Sequence, residues 1–278
     1  MASTNLLDTK TLTLNEILGN GKIYFVPQFQ CDYSWEQDNL DDLWNDLLNI
    51  YSTSNEAHYM GSIVLQVKGE QSDKQFWIID GQQRFTTLSL LTLAIINKLK
   101  SLADSELDAE ANRERADLVM KQYIGQKDPS SLLYSSKLFL NENNDGFYQQ
   151  RLLTFRPPVN FSKLIDSEKL LWSAYQYFVK QVNELFKTEN NGEKIASFLT
   201  KLIGEQLKFI QITVVDELNA YTVFETLNSR GVELTSTDLL KNYLFSLVAK
   251  SSNDLQAVKI QWKKIIDAIG LKDFPVFL

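Results

Sequence analysis

A short apolar strand leads directly into a long apolar helix through the five residues Asp80-Gly81-Gln82-Gln83-Arg84. This junction predicts an anion site, because the first turn of a helix has unpaired N–H groups and positive dipole charge. Gly81 lets a ligand approach the backbone closely, and Arg84 supplies a planar guanidinium that matches phosphate oxygens. Asp-Gly is also a favoured hairpin turn, but the apolar run from Leu88 to Leu99 favours a helix over a return strand.

The size and charge of the chain restrict its function. Its 278 residues, 44% of them hydrophobic, can bury a large core in one or two domains. The 28 basic and 35 acidic residues give a net charge of −7, which argues against a protein that grips nucleic acid with its whole surface. Any contact with DNA is therefore expected to be local. Without a signal-peptide pattern or an apolar run of membrane length, we expect a soluble, cytoplasmic protein without a membrane partner.

The chain has a single cysteine, Cys31, and a single histidine, His58. These counts exclude an intramolecular disulfide, a thiolate metal cluster and a zinc site made of histidine and cysteine. They also exclude nuclease mechanisms that require two histidines from this chain. We therefore expect that the chain alone is not such a nuclease.

Hydrophobic periodicity predicts an α/β (α+β) fold, with a small mixed β-sheet and a largely helical second lobe. Residues 1–104 and 206–250 are predicted to form the sheet-containing core, which is discontinuous in sequence. Residues 105–205 are predicted to form the helical lobe, and residues 251–278 a helical start of a further, truncated region. The predicted elements of the core are strands at 22–26, 59–67, 75–79 and 208–215 and a helix at 37–50.

Two further segments of the core have residues that suit a planar ligand. The loop with Gln30, Tyr33 and Trp35 is rich in amides and aromatic rings, which can hydrogen-bond to and stack on a base. The same rings can equally anchor the loop to the core, since aromatic side chains are often simply buried. Gly61 lies within a predicted strand, where it permits a ligand to approach or marks a β-bulge.

A third segment lies near the end of the predicted core. Its predicted helix ends in Asn228-Ser229-Arg230-Gly231, and Thr235 with Asp238 can cap the next helix. Asn228 and Arg230 on such a turn can reach a phosphate or a ribose. Alternatively, Asn228 and Gly231 serve only the backbone geometry of the turn.

Together these segments resemble the N-terminal domain of the GmrSD-type family, the DGQQR-motif proteins related to ParB and sulfiredoxin folds. The resemblance covers about residues 14 to 245, and residues 80–84 are its most specific part. One departure concerns the first loop, where the family usually has Gln-Arg and this chain has Gln30-Cys31. The other matching positions are Pro27, Gln30, Tyr33, Trp35, Gly61-Ser62, Phe224, Asn228, Arg230-Gly231, Leu234 and Asp238-Leu239-Leu240-Lys241.

The resemblance implies a domain that hydrolyses or senses nucleoside triphosphates in bacterial anti-phage systems that restrict modified foreign DNA. In such proteins the domain is commonly coupled to a C-terminal nuclease of the His-Asn-His type, which is not present in this chain. The expected partners are therefore a nucleoside triphosphate, that nuclease, DNA through a local patch and a second copy of the chain in a homo-oligomer. The arginine that Cys31 replaces could hold phosphate, so its absence bears on hydrolysis more than on binding.

For hydrolysis, Asp80 is the candidate to position Mg²⁺, the expected cofactor, or the attacking water. Gln82 and Gln83 can orient that water or hold phosphate oxygens. Arg84 would neutralise charge on the transferred phosphoryl group, with Arg230 as a second cation. The remaining candidates for nucleotide binding are Gln30, Tyr33, Trp35, Gly61, Gly81, Thr86 and Asn228.

Two other functions fit the same sequence. One is a module that senses a nucleotide or modified DNA and gates a partner nuclease without hydrolysing anything. The other is a structural or toxin-neutralising partner, which the polar signature at residues 80–84 does not favour.

Overall fold

A mixed six-stranded β-sheet forms the frame of the structure, in the order β1-β8-β3-β4-β2-β7. The computed structural model describes residues 7–28, 30–53, 57–69, 74–127, 130, 134–188, 191–214, 244, 248 and 252–269. Three neighbouring pairs of strands are parallel: β8 with β3, β4 with β2, and β2 with β7. The other two pairs, β1 with β8 and β3 with β4, are antiparallel. The strands are β1 Leu7–Thr13, β2 Ile23–Phe25, β3 His58–Val67, β4 Gln75–Asp80, β5 Gly125–Lys127, β6 Tyr134–Ser136, β7 Leu138–Phe139 and β8 Leu207–Val214, of which β5 and β6 form a separate hairpin.

Helices make up most of the rest of the described structure. They are α1 Leu14–Leu18, α2 Gln37–Thr53, α3 Gln82–Asp104, α4 Ala109–Val119, α5 Glu142–Phe147, α6 Asp166–Leu185, α7 Gly192–Ser197, α8 Gly204–Gln206 and α9 Ser252–Ile269. Short π-helical turns follow α4, α5 and α7. In the part of the chain that the structure describes, no helix is long and apolar enough to cross a membrane. The predicted mixed α/β fold is confirmed.

Helix α3 lies at the centre of the core. Every residue from Phe85 to Ile96 is buried, as expected for a helix that is apolar all round. The hydroxyl groups of Thr87 and Thr92 donate hydrogen bonds to carbonyl oxygens one turn earlier, so they are buried without losing a partner. The α3 helix contacts α4, α6 and α7, which joins the helical region to the sheet.

Strand β8 pairs with both β1 and β3, which confirms that residues near 208–215 return to the sheet. The sheet also contains β7, which comes from within the predicted helical lobe and pairs with β2. Sequence periodicity missed β7 because two residues are too few to show an alternating pattern. The division of the chain at residues 104, 205 and 250 stays a prediction.

Candidate functional site

The DGQQR segment lies at the junction of β4 and α3. Asp80 is the last residue of β4, Gly81 is the N-cap in the left-handed conformation with φ of 95°, and Gln82 begins the helix. A Cβ atom at Gly81 would lie 2.8 Å from a methyl carbon of Ile63, so both space and conformation require glycine. Gly81 has no side chain with which to cap the first turn of α3. The predicted strand-to-helix junction is confirmed, and the hairpin alternative is wrong.

Arg84 binds the backbone of β3. Its Nη1 atom donates hydrogen bonds to the carbonyl oxygens of Met60, at 3.0 Å, and Ser62, at 2.8 Å. Between these two residues, Gly61 has φ of 103°, and the register of β3 with β8 shifts there as in a β-bulge. A side chain at Gly61 would collide with Arg84 Nη1. The close approach at Gly61 is therefore made by the protein's own guanidinium group.

Asp80 faces the same guanidinium group from the end of β4. One carboxylate oxygen lies 3.6 Å from Arg84 Nη2, and the side chains of Asp80 and Arg84 are 22% and 23% exposed. Burial raises the pKa of Asp80, whereas Arg84 and the Gly81 N–H group act in the opposite direction. This partly exposed pair, next to the N-terminus of α3, is an arrangement in which perturbed carboxyl groups often have a function.

The two glutamines of the segment hold the loop between β2 and α2. Gln83 donates to the Asp32 carbonyl oxygen at 3.0 Å and accepts a hydrogen bond from the Ser34 N–H group at 3.1 Å. Gln82 donates to the Cys31 carbonyl oxygen at 3.2 Å. In this structure, both amides therefore bind protein backbone at the positions where the sequence predicts contacts with water or phosphate.

The predicted base-binding residues of this loop mostly face inward. Gln30 is buried and donates to the Ile79 carbonyl oxygen at 2.9 Å. Tyr33 is 5% exposed, and its hydroxyl group lies 2.8 Å from that of Thr87. Trp35 is half-buried against the core. These contacts anchor the loop, in agreement with the packing alternative; nucleotide binding by these three residues stays a prediction.

A small cavity of about 10 Å³ separates the loop from α3. Such a volume holds about one water molecule, since a water needs roughly 10–15 Å³ of this kind of space. Thr86 is buried in its wall. A nucleotide therefore does not fit between the loop and α3 while the loop is in this position. The cavity is lined by Val26, Cys31, Tyr33, Gln82, Gln83, Thr86, Leu140, Asn141 and Asn144.

Asparagines at the start of α5 hold the opposite side of the loop, and these residues were not among the predicted site residues. The Asp32 carboxylate accepts hydrogen bonds from Asn141, at 2.6 Å, and Asn143, at 3.1 Å. Asn144 accepts a hydrogen bond from the Tyr33 N–H group at 2.9 Å. The run Asn141-Glu142-Asn143-Asn144-Asp145 was a usable signal, because asparagines at a helix start favour caps and polar contacts.

Two predicted site residues, Asn228 and Arg230, lie outside the described residues. Asp80, Gly81, Gln82, Gln83 and Arg84 do lie together, with Gly61 beside them. Within the described ranges, no group of three or more histidine, cysteine, aspartate or glutamate side chains could hold a metal ion. Asp80 is paired with Arg84. The expectation that Asp80 positions Mg²⁺ stays a prediction.

A comparison with models of protein families shows to which family this chain belongs. The model of the GmrSD restriction endonuclease N-terminal domain matches residues 14–245, which include β2, β3, β4, β8 and the DGQQR segment. The chain belongs to this family. The family resemblance inferred from the sequence is confirmed, and the chain is a component of a restriction system. No individual curated protein matches it.

Proposed function

We propose that this GmrSD N-terminal domain binds and hydrolyses a nucleoside triphosphate and thereby regulates a nuclease of a modification-dependent restriction system. The nuclease resides in a C-terminal or partner domain of the His-Asn-His type. The domain acts in the cytoplasm, where foreign DNA arrives, and touches DNA only through a local patch. The observation that carries the proposal is the Asp80–Arg84 pair at the start of α3.

The first turn of α3 supplies binding energy for phosphate without a side chain. Its N–H groups receive no cap from Gly81, which has no side chain, and phosphate oxygens would be their acceptors. Arg84 Nη2 lies at the same end and is directed toward Asp80, whereas Nη1 is fixed on β3. The terminal phosphates would lie between these donors, where the positive charge of Arg84 stabilises the charge that develops during transfer.

Asp80 is the group that can accept a proton in this site. Water attacks the terminal phosphorus atom, the bond from phosphorus to the bridging oxygen breaks, and the nucleoside diphosphate leaves. The water proton passes to the Asp80 carboxylate. A raised pKa makes the carboxylate a better base, and the pKa of Asp80 is raised by burial. Gln82 and Gln83 have no comparable acid–base capacity.

The loop at residues 30–35 must move for a triphosphate to bind. The cavity beneath it has room for about one water molecule, and the amides of Gln82 and Gln83 are bonded to its backbone. Bound phosphate oxygens would replace the carbonyl oxygens of Cys31 and Asp32 as acceptors. Nucleotide binding would thus release the loop from α3, and this release is the signal that a partner nuclease could detect.

A second function, sensing without hydrolysis, is favoured by one observation. Cys31 stands where the family usually has arginine, and its carbonyl oxygen contributes to the closed loop. Without that guanidinium group the site has one fewer cation for the transition state, although the helix N-terminus and Arg84 still bind an anion. This module would bind nucleotide or modified DNA and gate its partner without phosphate release.

Phosphate release from the four ribonucleoside triphosphates with Mg²⁺, combined with thermal shift, distinguishes these functions. Asp80→Asn is expected to abolish release and to retain the shift, because Asn keeps the shape and loses the base. The control is Asp166→Asn, the same substitution at another carboxylate that pairs with a cation. Asp166 lies in the first turn of α6 and pairs with Lys169. A shift without release in the unmodified chain supports sensing, and unchanged release in Asp80→Asn contradicts the proposed mechanism.

A further inference from the structure

An open groove lies on the helical part of the structure, between the π-helical turn after α5 and the segment that leads to α6. Its volume is about 440 Å³, within the range of roughly 300–1,000 Å³ that is typical of ligand sites. Phe147, Pro158, Val159 and Leu164 supply its apolar surface, and Arg151 and Lys163 supply its charged groups. None of these residues belongs to the DGQQR site.

The apolar side chains at this groove are unusually accessible. Val159 is 85% exposed, and Phe161 and Ile165 beside it are 47% and 46% exposed. Single exposed apolar residues are normal, but three within seven positions of one segment, next to a groove, are typical of a protein interaction site. Covering them would bury apolar area that the described structure leaves in water.

The charge of the groove is positive in a chain whose net charge is −7. Across the described ranges, neither Arg151 nor Lys163 belongs to an ion pair. The two neighbouring acids are already engaged: Asp166 pairs with Lys169 at 2.8 Å, and Glu168 accepts the Ile165 N–H group at 3.2 Å. The groove therefore presents two cations that form no ion pair among the described residues, beside apolar surface, and this combination complements a carboxylate next to an apolar side chain.

The rim of the groove is held in place by its own hydrogen bonds. Asn160 accepts hydrogen bonds from the backbone and the hydroxyl group of Ser162, at 3.1 and 2.7 Å, and begins the short 3₁₀ turn Phe161–Lys163. Pro157 and Pro158 fix two further φ angles of the rim. A rim that is ordered before binding lowers the entropy that binding must overcome.

We propose that this groove docks an acidic, apolar segment of a protein partner, with a carboxylate on Arg151 or Lys163 and an apolar side chain against Val159. DNA is a poorer match, because phosphates would pair with the two cations and leave the apolar side chains in water. Nucleic-acid surfaces also carry many cations in a stripe or patch. The proposal concerns a site separate from the DGQQR segment and does not depend on nucleotide hydrolysis.

The test is a peptide-display selection on the full chain. The most enriched peptide is then synthesised, and its affinity for the chain is measured by fluorescence anisotropy. Enriched peptides are expected to combine Asp or Glu with Leu, Ile, Val or Phe. The variants Arg151→Glu, Lys163→Glu and Val159→Asp are each expected to weaken binding about tenfold or more, because they remove charge or apolar complementarity. The control is Lys201→Glu, the same charge reversal at an exposed lysine on the π-helical turn after α7.

Circular dichroism and thermal melting first establish that each variant is folded, which is expected because the substituted side chains are exposed or half-buried. Failure to enrich peptides, or enrichment of basic ones, overturns the proposal. Equal binding by Val159→Asp and the unmodified chain also overturns it. If duplex DNA binds the chain, and if this binding is weakened by Arg151→Glu but unchanged by Val159→Asp, the groove is a nucleic-acid site instead.

Discussion

Substituting Gly61 by alanine is expected to displace Arg84 and thereby disrupt the support of the DGQQR segment, without changing any residue of that segment. Gly61 has φ of 103° and lies where a Cβ atom would collide with Arg84 Nη1. The left-handed conformation alone costs about 1–2 kcal/mol for a residue with a side chain. Arg84 must also leave the Met60 and Ser62 carbonyl oxygens, and each hydrogen bond to a charged group contributes about 1.5–3 kcal/mol.

Water can replace part of the hydrogen bonding that Arg84 loses, because the side chain of Arg84 is 23% exposed. The lower end of the range for a hydrogen bond to a charged group therefore applies. The two hydrogen bonds then account for about 3 kcal/mol, and Gly61→Ala is expected to lower the free energy of unfolding by about 4–5 kcal/mol in total. Gly69→Ala is the matched control, since Gly69 has φ of 86° and nothing within 4 Å of the added atom. It should lower that free energy by only about 1–2 kcal/mol.

Urea denaturation of the two variants measures this difference. In an Arg84→Ala background, adding Gly61→Ala should cost only the backbone strain of about 1–2 kcal/mol, because the collision no longer exists. Equal destabilisation by Gly61→Ala and Gly69→Ala would refute the inference that Gly61 is glycine to admit Arg84.

Three further predictions concern the same region. Because burial raises the pKa of Asp80 above its ordinary 3.8, the stability linked to this carboxyl group is present below that pH and is lost as pH rises through the folded-state pKa. The Asp80→Asn variant has no carboxyl group that ionises there, so it does not lose this stability as the pH rises. Its melting temperature at pH 7 should therefore equal or exceed that of the unmodified chain; a clearly lower value contradicts this. Tyr33→Phe should cost about 1 kcal/mol in urea denaturation, since Thr87 keeps its bond to the Gln83 carbonyl oxygen, and a loss above about 3 kcal/mol would show a larger role for the hydroxyl group. Gln83→Ala should speed hydrogen exchange in the loop at residues 30–35 and leave α3 unchanged; an unchanged loop would mean that Gln83 does not hold it.

The sequence predicted the junction at Gly81 well because local signals agreed there. An apolar strand, Asp-Gly and a long apolar run each limit the backbone, and together they favour a strand followed by a helix. The return of β8 to the sheet was likewise predicted from its apolar, β-branched residues. The course of the backbone near the site is therefore largely a local property of the sequence.

The hydrogen-bond partners of the signature side chains were not predicted. Gln83 binds Asp32 and Arg84 binds Met60, at separations of 51 and 24 residues. An amide or a guanidinium group donates equally well to phosphate and to a backbone carbonyl, so the residue type does not select between them. Only the tertiary structure brings the loop and the bulge of β3 next to α3. For the same reason the role of Asn141 at the loop was missed.

Nucleotide hydrolysis by this domain requires that the start of α3 binds the phosphates of a nucleoside triphosphate. Hydrogen–deuterium exchange of the full chain, with Mg²⁺ and with or without a non-hydrolysable triphosphate analogue, detects this binding. Slower exchange is expected in peptides that cover residues 81–86, and faster exchange in the loop at residues 30–35. Unchanged exchange at residues 81–86, with the analogue bound and protection only elsewhere, would contradict it.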